Sequence, residues 1–225
     1  MKSLAYLLLF LISLNTGLAQ EKNLHKDFVY IKEQIPDIKL DIRYAGSNNF
    51  IGKPVNSYQK PVGILSKPAT EALEKVQNDL MSQGYCLKIF DAYRPQTAVN
   101  HFIEWARNPA DTLTKAKFYP EVAKKDLFQL GYIASKSGHS RGSTIDLTIM
   151  DAKTGKELDM GSGYDFFGDI SHHNTDKITK EQKANRSLLK RIMIKNGFRP
   201  YQEEWWHYTL RNEPYPETYF DFPVR

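Results

Sequence analysis

A single cysteine, Cys86, occurs in the 225-residue chain, so no disulfide can form within it. A fold without disulfides must be stabilised by buried apolar side chains, to which a bound metal can add. Cys86 lies in the apolar stretch YCLKIF, which predicts a buried strand. We therefore interpret Cys86 as a structural thiol rather than a nucleophile.

The first twenty residues, MKSLAYLLLFLISLNTGLAQ, have the layout of a secretory signal peptide. A basic residue precedes an apolar run over residues 4–14, and small residues before Gln20 predict cleavage after Ala19. The run is shorter than the roughly 20 residues of a membrane-spanning helix, and a lipoprotein anchor would need a cysteine at the cleavage point. We therefore expect a signal peptide at residues 1–19, a single domain at residues 20–225, and a periplasmic or secreted protein.

The charge distribution argues against a nucleic-acid partner. The chain has 31 Lys and Arg residues against 26 Asp and Glu residues, a formal net charge of +5. Removal of Lys2 with the signal peptide lowers the 31 to 30 and the net charge to +4. The basic residues are interleaved with acidic ones, which is typical of a solvated surface. We expect no nucleic-acid binding and no membrane span after cleavage, and the sequence leaves the oligomeric state open.

The spacing of apolar residues predicts a mixture of helices and strands. The stretch 66–84 is typical of a helix, with Ser66 as a candidate N-cap and Gly84 as the stop. The other predicted elements are helices over 96–107 and 179–197, the second opened by the capping-box pair Thr179 and Gln182, and strands over 85–93, 144–150 and 205–210. Because no regular βαβ alternation is present, the predicted class is α+β, a single compact domain with a mainly antiparallel sheet packed by helices.

The segment SGHSRGSTID, residues 137–146, places His139 and Asp146 seven residues apart. A catalytic zinc takes three protein ligands, from His and from Asp or Glu, and keeps a fourth position open. A loop that leads into a strand can turn both side chains toward one point, with Gly142 relieving the backbone at the bend. Taken alone, a histidine and an aspartate at this spacing more often form a hydrogen-bonded pair in a loop than supply two of the three ligands of a metal site.

A third candidate ligand, His207, lies in EEWWHY, residues 203–208. Glu204 stands three positions before it, and hydrolysis at zinc needs a carboxylate that takes a proton from water and passes it to the leaving amine. Side chains three apart point to opposite faces of a strand, so we expect Glu204 to lie on a bend before the strand that carries His207. Glu203 is the competing base, and the segment alone is also typical of an aromatic strand edge with a core histidine.

A third segment, DAYRP, residues 91–95, favours the metal site over the structural interpretations of the two preceding segments. It adds a cation, Arg94, to the segments that carry the candidate ligands. Arg94 follows a predicted strand at its end, where a fixed guanidinium can bind a carboxylate or stabilise charge that develops in a transition state. The joint occurrence of the three segments favours a zinc hydrolase with its site at the sheet.

These segments resemble those of the D-alanyl-D-alanine dipeptidases of the VanX type. That family belongs to a wider group of zinc D,D-peptidases, which includes D,D-carboxypeptidases and the hedgehog signalling domain. The resemblance covers most of the chain and departs at Thr144, where the group usually has alanine. The segments that carry it are DIRYAGSNNFIGKPV (41–55), DAYRP (91–95), SGHSRGSTID (137–146), LDMGSGYDFFGDISHH (158–173) and EEWWHY (203–208).

The resemblance implies that His139, Asp146 and His207 bind one Zn²⁺ per chain. It implies further that Glu204 is the general base and acid in the hydrolysis of D-alanyl-D-alanine to two D-alanines. Arg94 would stabilise the tetrahedral intermediate.

The same likeness implies three substrate-binding residues. Asp165 and Tyr44 would lie where the free ammonium of this small-molecule substrate is held, and Ser137 would form a hydrogen bond in the substrate pocket. The neighbouring pair His172 and His173 has no ligand role by this likeness, and we expect it to be structural.

Three alternatives stay open. A D,D-carboxypeptidase or peptidoglycan-trimming peptidase would keep the zinc site and accept longer substrates. A non-catalytic zinc-binding module would need no base, and Glu204 and Arg94 beside the ligands argue against it. A non-haem iron oxygenase also uses two histidines and one carboxylate, but the seven-residue spacing from His139 to Asp146 is unlike the short spacing usual in that class.

Overall fold

The computed structural model describes residues 24–225, where strands of two sheets are combined with α-helices. The strands are β1 (Phe28–Tyr30), β2 (Lys39–Leu40), β3 (Ile64–Ser66), β4 (Tyr85–Asp91), β5 (Thr144–Asp151), β6 (Phe198–Tyr201) and β7 (Glu204–Leu210). The helices are α1 (Ile31–Gln34), α2 (Lys67–Met81), α3 (Gln96–Arg107), α4 (Lys115–Phe118) and α5 (Lys180–Lys195). The predicted signal peptide, residues 1–19, lies outside the described residues.

The central sheet has the strand order β2-β4-β5-β7-β6, and β1 pairs with β3 in a separate antiparallel sheet. In the central sheet β2 is parallel to β4, whereas the other neighbours are antiparallel. Helix α2 contacts β4, helix α5 contacts β6 and β7, and the two helices contact each other. The predicted α+β class, a mainly antiparallel sheet packed by helices, is confirmed.

The three long helices lie where the apolar spacing predicts them. Helix α2 buries Leu73, Val76 and Leu80 completely, as expected for one apolar face of a helix. Helix α5 begins with the predicted capping box, since the Thr179 hydroxyl accepts from the Gln182 backbone N–H and the Gln182 side chain accepts from the Thr179 N–H.

Ser66 occupies the predicted N-cap position of α2, but the capping hydrogen bond expected of its side chain is absent. Its hydroxyl instead lies 2.8 Å from the Ser143 hydroxyl, and its backbone N–H donates to the Gly142 carbonyl. The start of α2 is thereby attached to the turn that leads into β5.

That turn requires glycine for two reasons. Gly142 has φ 77°, in the left-handed region, where a residue with a Cβ is strained. A Cβ at this position would also lie 2.1 Å from the Phe28 ring. The prediction that Gly142 relieves the backbone at the bend is confirmed, and the approach of Phe28 adds a packing reason that the sequence does not reveal.

The two faces of strand β5 carry different side chains, apolar on one face and polar on the other. Ile145, Leu147 and Ile149 are fully buried, and the alternation of a strand puts Asp146 and Thr148 on the opposite face. Cys86 is also buried and unpaired, at 5% exposure, as expected for a structural thiol. Within residues 24–225, every helix falls short of the length and apolar character that a membrane crossing demands.

Candidate metal centre

Two neighbouring strands bring two of the candidate ligands together. In the antiparallel pairing of β5 with β7, Asp146 lies directly opposite His207, so both side chains project from the same face of the sheet. Two positions along the strands, on the same face, Thr144 lies opposite Thr209, and their buried hydroxyls form a hydrogen bond at 2.9 Å. This bond satisfies the hydroxyl of Thr144, where the sequence departs from the pattern it resembles.

The third candidate ligand comes from a short 3₁₀ helix, Gly138–Arg141, that directly precedes the turn at Gly142. The Ser137 hydroxyl caps this helix by accepting from the His139 backbone N–H at 3.2 Å. As a result His139 is aimed at the strand pair, and one ligand atom from each of His139, Asp146 and His207 lies within 4.8 Å of the other two.

The distances between these ligand atoms suit a tetrahedral metal. His139 Nε2 lies 3.3 Å from His207 Nδ1. The Asp146 carboxylate approaches the two rings at 3.0 Å, from Oδ1 to His207 Nδ1, and at 3.3 Å, from Oδ2 to His139 Nε2. Ligands about 2.0–2.1 Å from a zinc ion, at tetrahedral angles, are separated by about 3.3 Å. The separation of the two ring nitrogens, and of each from its nearest Asp146 oxygen, is therefore close to that expected around one ion.

The tautomer of His139 also suits a metal. His139 Nδ1 lies 2.7 Å from the Ala92 carbonyl oxygen, which can only accept, so Nδ1 carries the proton and Nε2 presents a lone pair. Burial, opposed by the nearby Asp146, lowers the pKa of His139 and favours the neutral ring. Such an imidazole, held through its other nitrogen, is the usual form of a metal-binding histidine.

The two oxygens of the Asp146 carboxylate have different hydrogen-bond partners. Oδ2 accepts from the Tyr164 hydroxyl at 3.0 Å and lies 3.5 Å from the Arg94 guanidinium. Oδ1 is buried without a hydrogen-bond partner among the described residues, which is uncommon for a buried polar atom. Burial alone would raise the pKa of Asp146, but attraction to the neighbouring His139 and His207 in their protonated forms outweighs it and holds the pKa well below its usual range. An ionised carboxylate beside two ring nitrogens fits a divalent metal such as zinc.

A local irregularity brings Glu204 to the same site. Pro200 of β6 pairs with Tyr208, but the next residue, Tyr201, pairs with Glu204, so the intervening residues of β7 form a bulge. Glu204 Oε2 consequently lies 3.5 Å from His207 Nδ1, although a regular strand would put the two side chains on opposite faces. The expected bend is present, but the expectation that Glu204 precedes the strand is wrong, because Glu204 is the first residue of β7.

Glu204 is distinguished from Glu203 by its surroundings. Glu204 lines the cavity above the candidate ligands, whereas Glu203 does not. Burial and then repulsion from Asp146 raise the pKa of Glu204 to about 8, with Arg94 opposing them. A carboxyl group whose pKa lies near neutral pH can both take up and release a proton during a reaction.

Arg94 is held by contacts on several sides. Its Nε donates to Asp91 at 2.8 Å, and its guanidinium carbon lies 5.0 Å from the Tyr44 ring centre and 5.1 Å from that of Phe102. Asp91, at the end of β4, also accepts from the Tyr58 hydroxyl at 2.6 Å. We did not single out Asp91 from the sequence, although it stands in DAYRP three positions before Arg94.

The three predicted substrate-binding residues all line the same cavity, of about 260 Å³. Asp165 is 5% exposed and has φ 60°, a left-handed conformation that Asp tolerates better than most residues. The Tyr44 hydroxyl donates to Asp165 Oδ2 at 2.9 Å. Burial and then repulsion from Asp146 raise the pKa of Asp165 well above its usual range, as expected for a carboxyl group that has too little positive charge around it. Ser137 lines the cavity as well as capping the 3₁₀ helix.

The pair His172 and His173 lies outside the group of candidate ligands. His173 is buried, its ring lies 6.0 Å from the Tyr208 ring, and its backbone N–H donates to the Gln202 carbonyl. Burial, with added repulsion from Lys190, lowers the pKa of His173 to about 3. A buried neutral ring in these contacts suits the structural role that we predict for it.

Comparison with known proteins yields one consistent family. A family model of peptidases, described as D-ala-D-ala dipeptidase, matches residues 24–225. The chain is 44% identical over 197 residues to a D-alanyl-D-alanine dipeptidase from Enterococcus faecalis, and 43% identical over 198 residues to one from Streptomyces coelicolor; each match covers 88% of this chain and 98% of the relative. A protein of the same name from Escherichia coli is 33% identical over 175 residues, which cover 78% of this chain and 80% of the relative.

Zinc should stabilise the folded chain through the three candidate ligands. We expect a chelator-stripped sample to bind one zinc per chain, and free zinc at 100 times Kd to add about 2.7 kcal/mol to the free energy of unfolding. For a chain of this size that corresponds to about 5–10 °C in Tm. Titration calorimetry gives the stoichiometry, and thermal melts with and without zinc give the stabilisation.

The matched variants for this measurement are His139→Ala and His172→Ala. The first removes a candidate ligand and should abolish the zinc-dependent rise in Tm. The second removes a histidine outside the group and should keep it. Equal zinc-dependent rises in both variants would show that His139 is not a ligand.

Proposed function

The chain belongs to the D-ala-D-ala dipeptidase family of metallopeptidases, and from this premise we propose that it uses one zinc ion, held by His139, Asp146 and His207, to hydrolyse D-alanyl-D-alanine to two D-alanines. The observation that carries the proposal is the convergence of these three ligand atoms within 4.8 Å, beside a cavity that Glu204 and Arg94 also line. A zinc that only stabilised the fold would normally take a fourth protein ligand and would need no base.

Glu204 is the group that moves the proton. When bound, a zinc ion would supply polarisation of the scissile carbonyl and a lowered pKa for the attacking water. The Glu204 carboxylate takes the proton of that water and then returns it to the nitrogen of the departing D-alanine. Its raised pKa of about 8 supports both transfers, because a group with this pKa gains and loses a proton at little cost near neutral pH.

Arg94 stabilises the negative charge that develops on the carbonyl oxygen. Its Nε is engaged by Asp91 at 2.8 Å and its plane lies against two aromatic rings, so little reorganisation is needed when the charge forms. Arg94 lines the cavity together with the candidate ligands. Its cation is therefore available on the same side of the site as Glu204.

Asp165 and Tyr44 hold the free ammonium of the dipeptide. Asp165 is almost fully buried, and its raised pKa indicates a shortage of positive charge around it. The substrate ammonium supplies that charge. An acylated amine cannot, and the carboxyl would then stay buried without a cation at a cost of several kcal/mol, about 3–5 if it is ionised. This difference restricts the enzyme to free dipeptides.

We further propose that the protein is exported after removal of residues 1–19. The basic residue, apolar run and small residues of that segment support export, and the family match begins only at residue 24. Export would place the activity outside the cytoplasm and favour recycling or scavenging of D-alanine over vancomycin resistance, which requires removal of the dipeptide in the cytoplasm.

Substrate choice tests the dipeptidase proposal. The zinc-loaded protein should release alanine from D-Ala-D-Ala in a chelator-sensitive way and leave L-Ala-L-Ala intact. N-acetyl-D-Ala-D-Ala should show a kcat/KM lower by about 10²-fold or more, because acetylation leaves Asp165 without its counter-charge. Comparable cleavage of the acetylated compound would instead support a D,D-carboxypeptidase, and cleavage of none would support a binding module.

Removal of the proposed base should abolish most turnover without loss of zinc. Glu204→Gln keeps the size of the side chain but cannot take up the proton, so we expect kcat to fall by about 10²- to 10⁴-fold with zinc stoichiometry unchanged. Glu203→Gln, one residue away and outside the cavity lining, is the matched control and should keep its activity. The reverse pattern of losses would assign the base to Glu203.

Expression of the full chain with its native N-terminus tests export. We expect the mature protein outside the cytoplasm, with Gln20 as its first residue by N-terminal sequencing. A full-length chain that stays in the cytoplasm and begins at Met1 would contradict the proposal.

A further inference from the structure

The Tyr164 hydroxyl stands between the candidate metal centre and the proposed ammonium pocket. It lies 3.0 Å from Asp146 Oδ2 and 3.0 Å from the Tyr44 hydroxyl oxygen. The Tyr44 hydroxyl in turn donates to Asp165 at 2.9 Å. Two tyrosine hydroxyls therefore form a continuous line between a metal-ligand carboxylate and the carboxyl group that faces the substrate.

The single proton of the Tyr164 hydroxyl has a preferred direction. An ionised carboxylate only accepts hydrogen bonds, whereas a phenol oxygen can also accept. A hydrogen bond to a charged acceptor is stronger than one between neutral groups. The proton of Tyr164 is therefore directed to Asp146 Oδ2. Because the Tyr44 proton is donated to Asp165, the two phenol oxygens are then in contact at 3.0 Å without a shared proton.

This donor restrains the rotation of the Asp146 carboxylate. The torsion that rotates a carboxylate has a broad minimum, so Asp146 needs external contacts to hold one orientation. Arg94 contributes only a long contact of 3.5 Å to Oδ2, beyond the usual hydrogen-bond range. Tyr164 supplies the short one, and with Oδ2 held in this way Oδ1 lies 3.0 Å from His207 Nδ1.

We propose that Tyr164 is a positioning residue, whose hydroxyl holds the Asp146 carboxylate in the orientation that binds the metal. Because this inference rests on the proposed function, its test must separate a failure of the metal site from a failure of Tyr164. The sequence gives one hint of the role, since Tyr164 directly precedes Asp165.

The ring of Tyr164 is held independently of its hydroxyl. It stacks on Phe90, with ring centres 4.7 Å apart and planes 21° apart, and meets Trp206 edge-on at 5.5 Å. Phenylalanine preserves these apolar contacts. The variant Tyr164→Phe therefore removes the hydroxyl and leaves the packing of the ring in place.

Tyr208 provides a matched control. It is fully buried and directly follows His207 in β7, but its hydroxyl has no hydrogen-bond partner among the described residues. Tyr208→Phe thus deletes a buried hydroxyl at a similar depth without touching a ligand. If the loss of any buried hydroxyl weakened zinc binding, both variants would bind zinc more weakly to the same extent.

The decisive measurement is the Kd for zinc, determined by competition with a chromophoric chelator in the absence of substrate. We expect Tyr164→Phe to weaken zinc binding about 10-fold or more, in the range typical for loss of a hydrogen bond to a metal ligand. The visible absorption spectrum of the Co²⁺-loaded protein should also change, because it reports the geometry of the ligands. Tyr208→Phe should match the wild type in both measurements, and thermal melts of the metal-free proteins should show that all three are folded.

The possible outcomes distinguish a failure of the proposed role of Tyr164 from a failure of the proposed metal centre. If Tyr164→Phe keeps the zinc Kd and the Co²⁺ spectrum of the wild type, the positioning role is overturned and the proposed metal centre is not. Equal losses in Tyr164→Phe and Tyr208→Phe would also overturn it, since the cause would then be general. Failure of the wild type to bind zinc would overturn the proposed metal centre and the role of Tyr164 with it.

Discussion

The pairing of Asp146 with His207 across β5 and β7 is the constraint on which the site depends. A shift of one residue in the register of these strands would turn one of the two side chains to the apolar face of the sheet. The register is supported beside them by the buried hydroxyl pair of Thr144 and Thr209. With two candidate ligands placed by the sheet, the third, His139, comes from the preceding 3₁₀ helix, where the capping bond from Ser137 and the turn at Gly142 direct it.

A shortage of positive charge connects the ligands to the rest of the cavity. Four acidic side chains, those of Asp91, Asp146, Asp165 and Glu204, surround a single guanidinium, that of Arg94. Burial raises the pKa of three of them, and only Asp146 is held in its ionised form by the two imidazoles. A divalent cation and a substrate ammonium are the two species that would correct this imbalance, one at each end of the cavity. The proposed chemistry thus matches the electrostatics of the cavity.

The elements that the sequence predicted well are those specified by local patterns. The apolar stripe of α2 and the capping box of α5 act within one or two helical turns, so neighbouring residues carry the information. The residues that the sequence did not single out act over long separations. Asp91 meets Tyr58, and Tyr164 meets both Asp146 and Tyr44, only after the chain has folded. The placement of Glu204 was predicted incompletely for a similar reason, since the bulge that turns it toward His207 is a property of the pairing between β6 and β7.

By itself, the sequence determined the class of fold, the positions of the main helices and strands, and the candidate set His139, Asp146, His207 and Glu204. It could do so because helix periodicity, strand alternation and the choice of metal-binding side chains are all written in short segments. Only the tertiary structure decided how the Asp146 carboxylate is oriented, that Glu204 rather than Glu203 lines the cavity, and that Tyr164 contacts both Asp146 and Tyr44. These features depend on strand register and on contacts between distant segments, in which a change of one or two ångströms separates a hydrogen bond from no bond at all.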